Sequence, residues 1–144
     1  MTKPTTHQDY GIFILRVALG VMFLAHGVVL KYFTFTLAGT AKFFESVGYP
    51  AYLAYVVFAM ETLGGLLLVL GIQTRWVALA LSPILLGAIP VHFANGWVFS
   101  AANGGWEYPV YLFILCIAQA FLGDGAFAFK ASASFPGTAA TARN

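Results

Sequence analysis

The chain has 144 residues, of which 60% are hydrophobic and only 8% are charged, whereas ordinary soluble domains are roughly 45–50% apolar and about 25% charged. Its net charge of +2 comes from seven Lys and Arg and five Asp and Glu, which are too few and too dispersed to form a nucleic-acid-binding surface. The composition therefore argues against a soluble domain and against a nucleic-acid partner. It indicates a protein embedded in a lipid bilayer.

Four apolar runs each approach the ~20 residues that a helix needs to cross the hydrocarbon of a bilayer. In chain order they cover residues 10–30, 51–72, 76–93 and 108–127. The first run follows the polar stretch MTKPTTHQD and precedes no small-residue cleavage site, so we interpret it as a retained helix and not as a signal peptide. The pattern predicts an all-α membrane protein, an antiparallel four-helix transmembrane bundle over residues 10–129, with tails at 1–9 and 130–144.

The connection between the first two runs predicts a further short helix. Apolar residues recur there at helical spacing until Gly48 and Pro50 end the pattern. These apolar residues are Leu37, Ala41, Phe44 and Val47. Because amphipathic helices of this kind lie in the plane of the membrane interface, we expect an interfacial helix between spans one and two.

The positive charges predict the orientation of the bundle. With four spans, the N-terminus, the turn at 72–76 and the C-terminal tail share one side of the membrane, whereas Lys31 and Lys42 lie on the other. The shared side carries Lys3, Arg75, Lys130 and Arg143. Because cytoplasmic segments collect Lys and Arg, we expect both termini in the cytoplasm.

Five ionisable side chains lie within or at the edge of these spans, where a charge costs about 2.5–3.5 kcal/mol on insertion scales. They are Arg16, His26, Glu61, His92 and Glu107. Glu61 interrupts the run FAMETLGG close to the membrane midplane. At a rise of ~1.5 Å per residue, the backbones of Arg16 and Glu61 differ in depth by only about 6 Å. We therefore predict a buried ion pair between Arg16 and Glu61.

The remaining ionisable residues should gather in one half of the bundle. Spans one and three run in the same direction, so His26 and His92 are expected at similar depths, where Glu107 begins span four. These three residues, with Glu61 beneath them, are the predicted catalytic residues, which handle protons or a ligand. A structural interpretation stays open for each, because a neutral imidazole is tolerated near the interface and an acid is favourable at a helix N-terminus.

Two glycines and a tryptophan complete the predicted site. Gly64 and Gly65 follow Glu61 by three and four residues and leave a bare strip on nearly the same helix face. Small residues of this kind let helices approach closely in lipid, or they leave room for a ligand. We assign Gly64, Gly65 and Trp106, which precedes Glu107, as ligand-binding candidates, and we predict no metal site.

Several motifs in the same order resemble the DoxX family of small four-helix bacterial inner-membrane proteins. They are RVALGVMFLAHG in span one, METLGGLLLVLGIQTR in span two, a histidine in span three and GGWEYP at the start of span four. The resemblance covers about residues 10–127. It implies a bacterial inner-membrane protein related to the small subunit of thiosulfate:quinone oxidoreductase, which works with a second subunit. It also implies that the family's recurrent polar positions are Arg16, His26, Glu61, His92, Trp106 and Glu107.

The chain contains no redox motif of its own. Cys116 is the only cysteine, and neither a CxxC pair nor a dinucleotide fingerprint is present, so a redox role requires a bound cofactor or a redox partner. Our first hypothesis is a redox-associated or quinone-interacting subunit in which a histidine and an acid carry protons. Haem between His26 and His92 is disfavoured, because histidines so near the ends of their helices would enclose a porphyrin poorly.

Two other classes of function remain open from the sequence. The polar residues of the bundle are also compatible with a small-solute or proton pathway, which a homo-oligomer would enlarge. A membrane adaptor without catalytic activity is the third hypothesis. In an adaptor, the buried polar pairs would serve assembly.

Overall fold

The computed structural model of the protein describes residues 5–135, so the outer parts of both predicted tails lie outside the described residues. All regular elements of the described part are helices. They are α1 (His7–Thr34), α2 (Leu37–Ser46), α3 (Tyr52–Leu70), α4 (Thr74–Phe93) and α5 (Glu107–Leu122).

Helix α1 begins three residues earlier than the predicted span. The Thr6 side chain accepts a hydrogen bond from the backbone N–H of Asp9 at 3.2 Å, and the Asp9 carboxylate accepts one from the N–H of Thr6 at 2.8 Å. This reciprocal capping box satisfies donors that a helix N-terminus otherwise leaves free. Residues 6–9, which were predicted to belong to a tail, therefore form the start of the helix.

The second part of α1 is a π-helix from Ala25 to Thr34. At its end, the N–H of Phe35 donates to the carbonyl of Leu30 at 2.8 Å, five residues earlier. Most π-helical segments are single turns inside α-helices and often mark functional sites. A segment of 10 residues is thus unusually long, and it changes which side chains of α1 share one face.

Within residues 5–135, three helices are long and apolar enough to cross a membrane, namely α1 with 28 residues, α3 with 19 and α4 with 20. Helix α5 is apolar but has only 16 residues, or about 24 Å of rise. The predicted fourth span ran to Phe127, and this boundary is wrong. The helix ends at Leu122 because Gly123 and Gly125 adopt φ of +99° and +68°, a region that favours glycine and interrupts a right-handed helix.

Helices α1, α3, α4 and α5 pack around one shared apolar core, and α2 lies against α3. Core side chains come from all four of these helices and include Leu19, Phe23, Leu68, Leu81, Leu112 and Cys116. The short helix predicted between the first two apolar runs is present as α2. The Thr36 hydroxyl caps it by accepting from the N–H of Gly39 at 3.1 Å.

The two ends of the helical assembly differ in composition. The histidine end contains His26, His92 and the start of α5, whereas the arginine end contains Arg16, Arg75 and the α3–α4 turn. The segment after α5, residues 123–135, folds back over the arginine end. The carbonyl oxygen of Lys130 accepts a hydrogen bond from the N–H of Gln73 at 2.9 Å, and the backbone N–H of Lys130 donates to the carbonyl of Gly71 at 3.1 Å. The predicted tail from residue 130 therefore begins as packed structure.

Candidate functional site

His26 lies in the π-helical part of α1 with one ring nitrogen engaged by the backbone. Its Nδ1 is 2.9 Å from the carbonyl oxygen of Met22. Because a carbonyl only accepts hydrogen bonds, Nδ1 must carry the proton, and Nε2 of the neutral ring is then an acceptor. The imidazole also stacks on the ring of Tyr108, with centroids 6.1 Å apart and an interplanar angle of 25°.

His92, near the end of α4, has the same arrangement. Its Nδ1 lies 3.1 Å and 3.0 Å from the carbonyl oxygens of Asn103 and Gly104. The side-chain amide of Asn95 donates to the same two carbonyls, at 3.2 Å and 2.8 Å. The two side chains thus tie the loop between α4 and α5 to the end of α4. Because Nδ1 of His92 donates to these carbonyls, Nε2 is the acceptor of the neutral ring.

The two histidines share one cavity at this end of the assembly. Its volume is about 250 Å³. It is lined by His26, His92, Phe99, Gly104, Gly105, Tyr108 and Pro109. The cavity is half open, and its volume exceeds the about 150 Å³ of a closed apolar cavity that holds benzene, so one substituted six-membered ring is compatible with its volume. We call it the histidine cavity.

An apolar groove of about 460 Å³ adjoins the histidine cavity. It is lined by Trp97, Phe99, Glu107, Tyr108, Val110, Tyr111 and Ile114. Phe99 and Tyr108 belong to both linings, so the two spaces are neighbours. The α5 residues recur at positions three, four and seven after Glu107, which places them on one face of the helix. We call this space the α5 groove.

Glu107 and Trp106 do not line the histidine cavity. Glu107 lines the α5 groove instead, at the first position of α5, where the helix dipole favours an acid. Trp106 stacks on Phe93, with centroids 5.5 Å apart, and meets Trp97 edge-on at 4.3 Å. Trp106 therefore packs against other aromatic residues in the loop between α4 and α5. It lines neither of the two spaces.

Glu61 is buried and paired with a lysine. Its carboxylate oxygens lie 2.9 Å and 2.7 Å from Nζ of Lys31, and only 4% of the residue is exposed. The predicted pair of Arg16 with Glu61 is therefore wrong. Arg16 instead donates to the carbonyl of Ala126 at 3.1 Å, at the opposite end of the core.

The π-helical segment explains the different partner. Its hydrogen bonds join residues five positions apart, so the side chains after Ala25 occupy other positions around the helix than in an α-helix. Lys31 thereby reaches Glu61 of α3. The first span had been predicted as an α-helix throughout residues 10–30, so Lys31 lay beyond its end. No residue type in this stretch indicates a π-helix.

Gly27 allows α1 and α3 to approach closely beside this pair. A Cβ atom there would lie 2.8 Å from Oγ1 of Thr62 and 3.3 Å from Cβ of Glu61. The sequence had indicated Gly27 as a position of close helix approach, whereas Lys31 and Tyr108 were not among the predicted site residues. Lys31 was detectable as the cation nearest to the end of the first apolar run, and Tyr108 as the aromatic residue beside Glu107.

The prediction that Gly64 and Gly65 bind a ligand is wrong, because neighbouring helices fill the space beside both. A Cβ atom on Gly64 would lie 2.8 Å from a side-chain atom of Leu81, and one on Gly65 would lie 2.8 Å from the carbonyl of Gly20. The bare strip on α3 is therefore used for close helix packing. This was the other interpretation that the sequence allowed.

The chemistry of the site is that of hydrogen bonding and proton exchange. Within residues 5–135, no group of three or more His, Cys, Asp or Glu could hold a metal ion. His26 lines the histidine cavity, and Gly27, the next residue of α1, lies against the Glu61 side chain of α3. The arrangement can accept hydrogen bonds from a small ring through the two imidazoles.

These features define a class: a small helical membrane protein with a histidine-lined cavity beside a buried ion pair. Residues 11–96 match the DoxX family, and the chain belongs to this family. The resemblance in the sequence motifs is thereby confirmed.

Three relatives illustrate the similarity. The protein named "Putative oxidoreductase CatD" of Bacillus subtilis is 41% identical over 81 residues, which are 56% of this chain and 58% of the relative. An uncharacterized protein of Haemophilus influenzae is 32% identical over 89% of this chain and 94% of its own length. Inner membrane protein YqjF of Escherichia coli is 31% identical over 50% of this chain and 53% of the relative. No solved structure matches the chain significantly.

Proposed function

We propose that this DoxX-family protein is a redox-associated membrane subunit whose histidine cavity binds the ring of a quinone-type ligand. One observation carries this proposal. A cavity with room for a single ring is lined by two imidazoles and adjoins an apolar groove through Phe99 and Tyr108. A membrane quinone has the matching chemistry, with a polar ring and an apolar tail, so that the ring fits the cavity and the tail fits the groove.

A partner protein supplies or removes the electrons in this proposal. Cys116 is the only cysteine of the chain, and it is fully buried in the apolar core, so it does not act as an exposed redox thiol. The name of CatD, which describes an oxidoreductase, agrees with a redox assignment. His26, Glu61 and His92 would serve as proton carriers in this site, and Glu107 would lie beside the tail.

The proposal includes a topology in the bacterial inner membrane. Helices α1, α3 and α4 cross the bilayer, and α5 crosses as a shorter fourth span, which local thinning of the bilayer accommodates. Helix α2 lies at the interface, and both termini face the cytoplasm. The name of the relative YqjF, an inner membrane protein, supports this location.

Ligand binding can be tested by tryptophan fluorescence with a short-tailed benzoquinone that has been chemically reduced to its hydroquinone and is kept anaerobic, because its O–H groups can donate to the acceptor Nε2 atoms. The chain has three tryptophans, and Trp76 contacts Phe135 at the arginine end. A Trp76→Phe background therefore restricts the signal to Trp97 and Trp106 at the histidine end. We expect saturable quenching in detergent.

The matched control uses the third histidine of the chain, because His7 is exposed at the arginine end. The His26→Ala and His92→Ala proteins should each bind the probe about tenfold more weakly, which is the effect of one lost hydrogen bond of about 1.4 kcal/mol. The His7→Ala protein should bind normally. Equal weakening in all three variants, or quenching that never saturates, would contradict the proposal.

The other hypotheses receive less support. A proton or solute pathway through the bundle would have to pass an apolar core that includes Leu19, Phe23 and Leu68. The adaptor hypothesis gives no role to a cavity at the histidine end. A homo-oligomer is compatible with the proposed site and is not required by it.

A further inference from the structure

The hydrogen bonds of the two histidines bear on which redox form of the ring the site prefers. This inference rests on the proposed function. Both Nδ1 atoms face backbone carbonyls, of Met22 for His26 and of Asn103 and Gly104 for His92. Both must therefore carry their proton on Nδ1, and no described residue forms a hydrogen bond with Nε2 of either ring. Each neutral imidazole thus offers a molecule in the cavity an acceptor and not a donor.

We propose that the histidine cavity selects the reduced dihydroxy form of the ring over the oxidised dione. A hydroquinone has two O–H donors, one for each Nε2, whereas a dione has only carbonyl acceptors. A dione in the same position would place its lone pairs against those of the two Nε2 atoms and receive no donor from either ring, which disfavours its binding relative to the diol. The Tyr108 hydroxyl can either donate or accept, so the preference arises from the imidazoles.

The site geometry makes both histidines stiff in this role. His92 shares its two carbonyl partners with Asn95, so a rotation of the ring that exchanged its nitrogens would break the contact between the loop and α4. The ring of His26 is held between Met22 and the stacked Tyr108. While both rings are neutral, a dione therefore cannot obtain a donor from them without loss of existing hydrogen bonds.

Preference for the diol has a measurable consequence for the bound redox couple. Tighter binding of the reduced form raises the midpoint potential of the bound ring, by about 30 mV for each tenfold preference in a two-electron couple. We expect about a tenfold preference from each histidine. The bound ring would then be a better electron acceptor than the same ring in the membrane.

The test compares the affinities of the two redox forms of one probe. A short-tailed benzoquinone and its chemically reduced hydroquinone are titrated anaerobically into the detergent-purified Trp76→Phe protein at pH 8, where imidazoles are mostly neutral. The variants are His26→Gln and His92→Gln, whose side-chain amides offer a donor as well as an acceptor, with His7→Gln as the matched control. The readout is the ratio of the two dissociation constants, which loss of folded protein does not change.

We expect the hydroquinone to bind at least tenfold more tightly than the benzoquinone in the parent and in His7→Gln. The ratio should fall by about tenfold in each of the other two variants. Histidine-dependent binding with equal or tighter affinity for the benzoquinone would overturn this inference and leave the proposed function intact. Saturable binding of neither form would overturn both.

The tautomer can be measured without a ligand. In ¹⁵N-histidine NMR spectra at pH 8, His26 and His92 should each show a protonated Nδ1 and an unprotonated Nε2, and the hydroquinone should shift the Nε2 resonances of both. Spectra with the proton on Nε2 of either ring would also overturn the inference.

Discussion

The two ends of the protein use rare polar residues in opposite ways. At the arginine end, Arg16 is fully buried, donates to Ala126 and packs over the ring of Phe13 at 5.3 Å. Its Nε and Nη1 have no hydrogen-bond partner among the described residues, but the backbone at Gly71 packs directly against the guanidinium. At the histidine end, by contrast, two rings border a cavity. A free polar atom therefore indicates a binding site only where there is also space beside it.

Helix ends account for much of this difference. At the arginine end, the Asp124 carboxylate accepts from the N–H of Thr74 at 3.2 Å, and Nη1 of Arg75 donates to two carbonyls at the end of α5, at 2.8 Å each. These side chains satisfy orphan backbone groups of helix termini. At the histidine end, each imidazole donates to backbone carbonyls through Nδ1. Its Nε2 forms no hydrogen bond with a described residue. We therefore expect variants of the arginine end to lose stability and variants of the histidine cavity to lose binding.

The largest effect is expected from the Arg16→Ala protein. Removal of a fully buried long side chain leaves a cavity and frees the Ala126 carbonyl, which together should cost about 4 kcal/mol of unfolding free energy. The Arg75→Ala protein, which loses a partly exposed side chain at the same end, should lose about 1 kcal/mol. Thermal unfolding in detergent, followed by circular dichroism, measures both. Equal stability of the two variants would contradict a structural role that is specific to Arg16.

The buried pair of Lys31 and Glu61 should give the next largest effect. The Lys31→Met protein keeps a buried carboxylate without its partner and should lose about 3 kcal/mol of unfolding free energy. Replacement of both residues by Met removes both charges, so the double variant should be more stable than the single one. The same unfolding measurement tests this. A double variant that is less stable than Lys31→Met would show that the two side chains do not depend on each other.

Helix packing at α3 should respond to small changes. A methyl group on Gly65 meets the backbone of α1, at Gly20 and Leu24, which cannot move aside, so Gly65→Ala should cost about 2 kcal/mol. At Gly64 the obstacle is the side chain of Leu81, which can adjust, and the cost should be smaller. Gly11→Ala is the matched control, because nothing lies within 4 Å of its added Cβ. If Gly65→Ala were as stable as Gly11→Ala, the close contact of α1 and α3 would be wrong.

A small effect on stability is expected for His92→Ala. The ring is partly exposed, and its hydrogen bonds to the loop should contribute about 1 kcal/mol. Ligand binding should nevertheless fall about tenfold, which separates this variant from those at the arginine end. Unfolding and probe titration on the same preparation provide both values. If His92→Ala lost several kcal/mol of unfolding free energy and still bound the probe normally, His92 would have the structural role that we assign to the arginine end.

The sequence predicted the parts of the fold that depend on apolar length and on glycine. Helix α3 was placed within two residues at each end, because a long apolar run is followed by Gly71, whose φ of +69° suits a helix C-cap. His26 and His92 were assigned to one end because alternate spans run in the same direction. Both features follow from local pattern and from the simplest antiparallel arrangement.

The errors have a different origin, because they depend on contacts that no local pattern encodes. The π-helical segment brought Lys31 to Glu61, and the return of residues 123–135 brought Ala126 to Arg16. The depth estimate for Arg16 did not include these two chain segments, which supply the partners that Glu61 and Arg16 have in the structure.

The decisive measurement is mass spectrometry of small molecules extracted from the detergent-purified protein. We expect a prenylated quinone, close to equimolar with the chain, in the parent protein and in Arg75→Ala. The double variant His26→Ala/His92→Ala should remain folded and lose it. The same quinone content in all three proteins, or none in a folded parent protein, would contradict a quinone site in the histidine cavity.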